Sequence, residues 1–205
     1  ERQDSLAIID LQDAFTTAAE TTPSNVGKGD IASVISGVRS RNFDSSYAAA
    51  YHPWIRVRGR GESIIANCPP SVAAIGAIAK SQALSAPWFA PAGFNRGGIG
   101  QLGGSAGPNV TSLVETLNKS NRDNLYEIDI NPIARLQGEF VIFGQKTLQQ
   151  APSSLDRINV RRMMIFLKKR IGKIAETILF DQNIQVTWNK FKSRADKVLA
   201  QINAG

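Results

Sequence analysis

A single cysteine and a single histidine stand among 205 residues, and each scarcity removes a class of chemistry. Cys68 alone cannot build an internal disulfide framework, and the usage fits a reducing compartment. Beside Pro69 it reads as a small buried hydrophobe rather than a nucleophile. His52 alone cannot supply a histidine-based metal site or relay. A Ser/His/Asp triad would have to run through it, yet it lies in a strand pattern between Tyr51 and Pro53, and no serine stands in a G-x-S-x-G setting. No apolar run approaches the ~20 residues of a membrane span, and no signal peptide is visible. Carboxylate pairs such as Asp10 with Asp13 or Glu127 with Asp129 carry little signal, because 17 acids produce such pairs by chance. The expectation is a chain with no catalytic residue, no metal and no cofactor.

What is present describes one globular domain over residues 1–205, with 42% hydrophobic and 20% charged residues. The net charge of +7 is unevenly placed. Residues 1–149 hold 13 basic and 13 acidic side chains, whereas residues 150–205 hold 11 and 4, so the whole excess lies at the C-terminal end. A segment of that kind asks for an acidic partner or a solvated helix face.

The pattern along the chain alternates strands and helices. Leu6–Ile9 reads as a strand, 11–25 as a loop, and a helix follows from Gly29-Asp30 with Ile31, Val34, Ile35 and Val38 on one face. Tyr47–Val57 reads as one strand, so strand, helix and strand form a parallel βαβ unit. Arg58–Gly61 turns the chain into Ile64-Ile65-Ala66. Pro69-Pro70 opens a helix of small residues from Ser71 to about Leu84. The stretch 86–108 is a long Gly- and Pro-rich loop. Val110–Leu117 reads as a short helix and Asn121–Asn124 as a turn.

The central unit is 129–171. Phe140-Val141-Ile142-Phe143 reads as a strand covered on both faces. Asp156 is placed to cap the helix that follows. That helix carries Ile158, Met163, Leu167, Ile171, Ile174 and Ile178 along one side, with Arg161, Arg162, Lys168, Lys169 and Lys173 away from that line. A last helix, about 184–202, turns Trp188, Phe191, Val198 and Leu199 inward and Lys190, Lys192, Arg194 and Lys197 outward. The fold class is α/β, a mixed sheet flanked by helices.

Two functional readings come from these residues alone. The loop Gly93–Gly100 offers backbone N–H groups and Arg96 to an anion or nucleotide, as an α/β enzyme would use it. It lacks the Gly-Lys-Ser/Thr ending of a P-loop, and Pro87 and Pro91 interrupt the approach. The basic C-terminal helices offer charge to nucleic acid phosphates, but aromatic residues do not alternate with the basic ones as strand stacking requires.

Six ordered segments carry a stronger signal. They are SSYAAAYHPWIRV (45–57), PPSVAAIGAIAK (69–80), APWFAPAGFNRGGI (86–99), INPIARLQGEFVIFGQKTL (130–148), DRINVRRMMIFLKKRI (156–171) and TWNKF (187–191). In order and spacing they resemble the tail sheath proteins of contractile-tailed bacteriophages, the T4-like myoviruses among them, and the sheaths of other contractile injection systems. The departures are local: His52 before the Pro-Trp pair, a short hairpin at Arg58–Glu62, and Asp181-Gln182-Asn183-Ile184 before the last helix. The resemblance implies a non-enzymatic tail-sheath core domain, a fragment lacking the N- and C-terminal arms that add strands to neighbouring subunits. It implies a homo-oligomer of stacked rings or helical strands around an inner tail tube protein. Baseplate and tail terminator proteins would be further partners, with no nucleic acid and no membrane span. It places the protein in the virion, assembled in the host cytoplasm. Combined with the charge map, it nominates Lys190, Lys192, Arg194 and Lys197 for an acidic tube surface. Arg161, Arg162, Lys168 and Lys169 are nominated for subunit contacts.

Overall fold

The computed structural model of the chain describes residues 3–11, 31–59, 61, 63–102 and 108–203. Part of the predicted 11–25 loop and the start of the first helix at Gly29-Asp30 fall outside these residues.

Four strands form the central sheet: β1 (Ala7–Asp10), β2 (Ala48–His52), β6 (Ile130–Leu136) and β7 (Glu139–Ile142), in the order β1-β2-β6-β7. The first three run parallel, and β7 returns antiparallel to β6. Helix α1 (Ile31–Arg41) lies between β1 and β2 in the chain, so the expected βαβ unit forms. A second, antiparallel sheet has the order β4-β3-β5, from β3 (Ile55–Arg58), β4 (Ile65–Cys68) and β5 (Asn109–Leu113).

Side chains of β2 alternate across the pleat and so divide the core in two. Ala49 and Tyr51 face a cluster with Ile55, Val110, Ile133, Ile142 and Ile158, shared with the second sheet and with α2 (Pro70–Leu84). Ala48 and Ala50 face the opposite cluster, with Val34 and Val38 of α1 and Leu125 of α4 (Lys119–Glu127). Ala73, Ala74 and Ala77 of α2 are buried in the core cluster, and their small size lets the helix sit close.

Several expectations need correction. Tyr47–Val57 is two strands, β2 and β3, which lie in different sheets, and the chain crosses between them at Pro53-Trp54. Val110–Leu117 is not a helix: its first half is β5, held by hydrogen bonds to β3. Asn121–Asn124 is not a turn but the middle of α4, whose N-cap Asn118 accepts from the Asn121 N–H at 2.8 Å. Phe143 is 49% exposed, so the apolar run 140–143 is covered on both faces only at Val141 and Ile142.

The largest omission from the sequence reading is β6, a central strand containing a proline. Pro132 is the last residue paired to β2, and pairing to β7 begins at Ile133, so the missing N–H falls where one ladder hands over to the other. The β6–β7 hairpin closes on Gln137 (φ 52°) and Gly138 (φ 87°), the doubly left-handed pair of a type I′ turn.

Asn131, wholly buried beside Pro132, fixes the strand in place. Its amide nitrogen donates to Ala50 O at 3.0 Å and Lys146 O at 2.8 Å, and its oxygen accepts from the Lys146 N–H at 2.6 Å. Asn131→Ala would leave buried backbone groups unpaired, at a cost of about 2–4 kcal/mol. Urea denaturation of the variant against wild type measures that loss, and a change under half a kcal/mol would contradict the role.

Candidate functional site

Near the C-terminal end lies a hairpin of two long helices, α5 (Ile158–Glu176) and α6 (Gln185–Asn203). Only the first half of α5 is seated on the core. Asp156 does not cap it; Arg157 occupies the cap position without a side-chain bond, while Ser153 caps the preceding 3-10 turn at Ser154–Asp156. Asp156 instead pairs with Arg157 at 3.2 Å.

Arg161 and Arg162 were expected on the outward face, and the structure reverses this. They are 7% and 9% exposed. The Arg161 guanidinium lies 4.0 Å over the Tyr47 ring and bonds to the Ser46 hydroxyl, while Arg162 donates to Gln82 Oε1 at 3.3 Å. On a helix of 3.6 residues per turn, Ile158, Arg161, Arg162 and Ile165 share one side. Met163, Leu167, Ile171, Ile174 and Ile178 share the opposite side. The apolar stripe of α5 therefore lies opposite the arginine face, which meets the core. Arg161 Nε and Arg162 Nη1 are buried without a hydrogen-bond partner, and among the described residues no carboxylate pairs with either. Burial lowers the Arg162 pKa from its ordinary value, opposed by the neighbouring Tyr51.

Of the remaining nominated residues, Lys168 and Lys169 are exposed. All four basic residues of α6 are exposed too, but they do not form one patch. Lys190, Arg194 and Lys197 follow at steps of four and three and share a stripe, whereas Lys192 lies about 160° round the helix from Lys190. Arg194 also donates to Thr177 Oγ1 at 2.9 Å, tying α6 to the end of α5. Trp188 and Leu199, expected inward, are 60% and 42% exposed; Ala195 is the side chain α6 buries.

The Gly-rich loop is structural. Gly93–Arg96 forms one helical turn (α3). The following residues then line the free edge of β7, with Gly97 O accepting from Ile142 N and Ile99 N donating to Phe140 O, both at 2.9 Å. A Cβ at Gly97 would come within 2.7 Å of Ala92 backbone atoms, so only glycine fits. Arg96 stacks 4.5 Å from the Phe89 ring centroid and donates to Ser85 Oγ at 3.2 Å. Of the backbone N–H groups the anion reading needs, Ile99 donates to β7 and Gly97 donates to Gly93 O.

The carboxyl ends of the parallel strands, where α/β folds bind ligands, are also filled from within. The Asp10 carboxylate at the end of β1 accepts from the Ser71 N–H at 2.9 Å and its hydroxyl at 2.6 Å, occupying the N-terminus of α2. His52 is wholly buried, with Nε2 3.1 Å from Glu115 Oε2. Cys68 is half-buried, and burial followed by the Asp10 charge raises its pKa. The described residues contain no group of three metal-ligating side chains and no helix long and apolar enough to cross a membrane.

These features describe an α/β scaffold with an outlying basic helical hairpin. No protein-family model matches the chain. It is 42% identical over 128 residues to the tail sheath protein of Vibrio phage KVP40, a match covering 62% of this chain. It is 36% identical over 125 residues to that of Enterobacteria phage T4. A match of 26% identity to the Salmonella phage ViI tail sheath protein covers 98% of this chain. The chain spans 18% of the length of the first two proteins. In fold it matches the helical sheath of the anti-feeding prophage in its contracted state (TM-score 0.65, 19% identity, 96% of this chain and 45% of that one). It also matches the contracted sheath complex of the PVC extracellular contractile injection system (TM-score 0.65, 20% identity, 82% and 44%). The chain resembles T4-like tail sheath proteins in sequence and contractile sheaths in fold.

Tyr51 gives a test of the core on which the hairpin sits. Burial holds its phenol far above the ordinary value of 10.0, opposed by Arg162. The unfolded chain therefore gives up this proton first as pH rises, and the native state is left binding more protons. Stability from this group is complete below pH 10 and falls above it, by about 1.4 kcal/mol per pH unit. Denaturation at pH 9 to 11 should show a decline that Tyr51→Phe flattens; parallel profiles would refute the assignment.

Proposed function

We propose that this chain is the core of a contractile phage tail sheath subunit, which packs with copies of itself around an inner tail tube and contracts to drive the tube through the host envelope. The observation that carries this reading is the 42% identity over 128 residues to a phage tail sheath protein, together with a fold shared with two contracted sheaths. The role asks for a rigid body with interaction surfaces rather than a reaction centre. The strand ends and the Gly-rich loop, closed by internal partners, suit it. In this reading the protein is non-enzymatic, resides in the virion and is assembled in the host cytoplasm, with the tube, baseplate and tail terminator proteins as its partners.

The test is electron microscopy of the full-length parent protein expressed alone. Regular hollow tubes are the expected result. A protein that stays monomeric at high concentration would overturn the reading.

Within this role, α6 is the element that grips the tube. Exposed ion pairs are individually weak and salt-screened, so many of them sum to a hold that is firm yet reversible. Lys190, Arg194 and Lys197 share the stripe for an acidic tube surface, and Lys192 on the other flank takes no part in it. Reversing the three charges to glutamate should abolish assembly on purified tubes while circular dichroism stays unchanged; Lys192→Glu alone should have little effect. Wild-type assembly by the triple variant would exclude this contact.

A further inference from the structure

Two features of the hairpin stand open among the described residues. The first is its tip, where Leu179 and Phe180 are 70% and 96% exposed and the exposed Asp181 follows them. The second is a groove of 410 Å³ along the first half of α5, lined by Tyr47, Arg161, Met164, Leu167, Lys168 and Ile171, with Gln3 at its edge. Its walls are apolar, and Met164 can reshape to an incoming side chain. Its charge is one-sided, because buried Arg161 lacks a carboxylate partner among the described residues and Lys168 stands exposed beside it. A desolvated guanidinium without a counter-charge is costly, and an arriving carboxylate relieves that cost.

We propose that the tip of one copy, Leu179-Phe180-Asp181, seats in the α5 groove of the next copy. Its apolar side chains lie against Met164, Leu167 and Ile171, and the Asp181 carboxylate faces Arg161 and Lys168. The charges are complementary, and so are the apolar surfaces. The tip cannot reach its own groove: Phe180 lies twelve residues beyond Lys168, roughly 18 Å further along the hairpin at 1.5 Å per residue. Two different surfaces meeting head to tail make a contact that propagates, closing into a ring or continuing as a helical strand. The proposal rests on the self-assembling role above and names the surfaces that would carry it.

The experiment uses the full-length parent protein and measures the critical concentration for polymerisation. Phe180→Ser changes a side chain already in solvent, so the fold is spared. It should raise the critical concentration about tenfold, as loss of one central apolar anchor does. Asp181→Lys should act likewise, and adding Lys168→Asp to it should recover most of the loss. In a Cys68→Ser background, Phe180→Cys and Met164→Cys proteins should form disulfide-linked dimers only when mixed. Variants that polymerise like wild type, or cross-links between two tips, would overturn the groove contact while leaving the sheath role standing. A wild-type protein that never polymerises would overturn both.

Discussion

The arrangement depends on α5 carrying a charged side into the core. That side holds Ile158, Arg161 and Arg162, while the opposite side carries the half-buried Leu167–Ile178 stripe. Burying two guanidinium groups without a carboxylate costs several kcal/mol per ion, and the structure offsets this with several small terms. Arg161 gains a cation–π contact with Tyr47, worth about 2 kcal/mol when desolvated, and the Ser46 hydroxyl. Arg162 gains Gln82 of α2. Asn159 donates to Trp88 O at 3.3 Å, and Phe166 packs with its ring centroid 5.8 Å from that of Trp88. The direction of α5 is thereby set by the lead-in to β2, the end of α2 and the 88 loop together. Three contacts thus fix the first half of α5 on the core.

The same economy appears where an α/β layout commonly holds a ligand. A parallel sheet leaves helix N-termini and strand ends in a crevice that favours anions. Asp10 takes that place at α2, with two short hydrogen bonds to Ser71. His52 and Glu115 join the two sheets where the chain leaves β2. The Gly-rich loop joins β7 through Ile99 N and Gly97 O. These three features fasten neighbouring elements together, which stiffens the described core.

Periodicity made β1, α1, α2, α5 and α6 legible, because each has a pattern dictated by its own neighbours. The rest depended on partners far away in sequence. β5 looked like a helix because Val110, Leu113 and Leu117 fall at helical spacing, yet β3 supplies the ladder that decides. β6 was hidden by Pro132, which only the handover between two ladders permits. Arg161 and Arg162 looked solvent-facing because a charge usually is; nothing local shows that Tyr47 and Gln82 await them. The basic residues of α6 were legible as exposed. Their division into a three-residue stripe and an isolated Lys192 follows from helix geometry, and the exposure of Trp188 and Leu199 from the absence of a second wall.

The charge map and the packing then divide the molecule in the same place. The 149 residues before the hairpin are neutral in sum, and the excess of +7 sits in the last 56. Charge of one sign at that density opposes close approach of two hairpins side by side. It leaves apolar contact, or a lone carboxylate such as Asp181, as the means by which like hairpins can meet. A basic stripe facing an acidic surface has the opposite character: it is attractive at a distance, screened by salt and tolerant of sliding. In the proposed sheath role, a subunit that stays joined to its copies while releasing what it surrounds needs both kinds of contact. The hairpin offers a surface for each, the apolar side chains at its tip and the lysine and arginine stripe along α6.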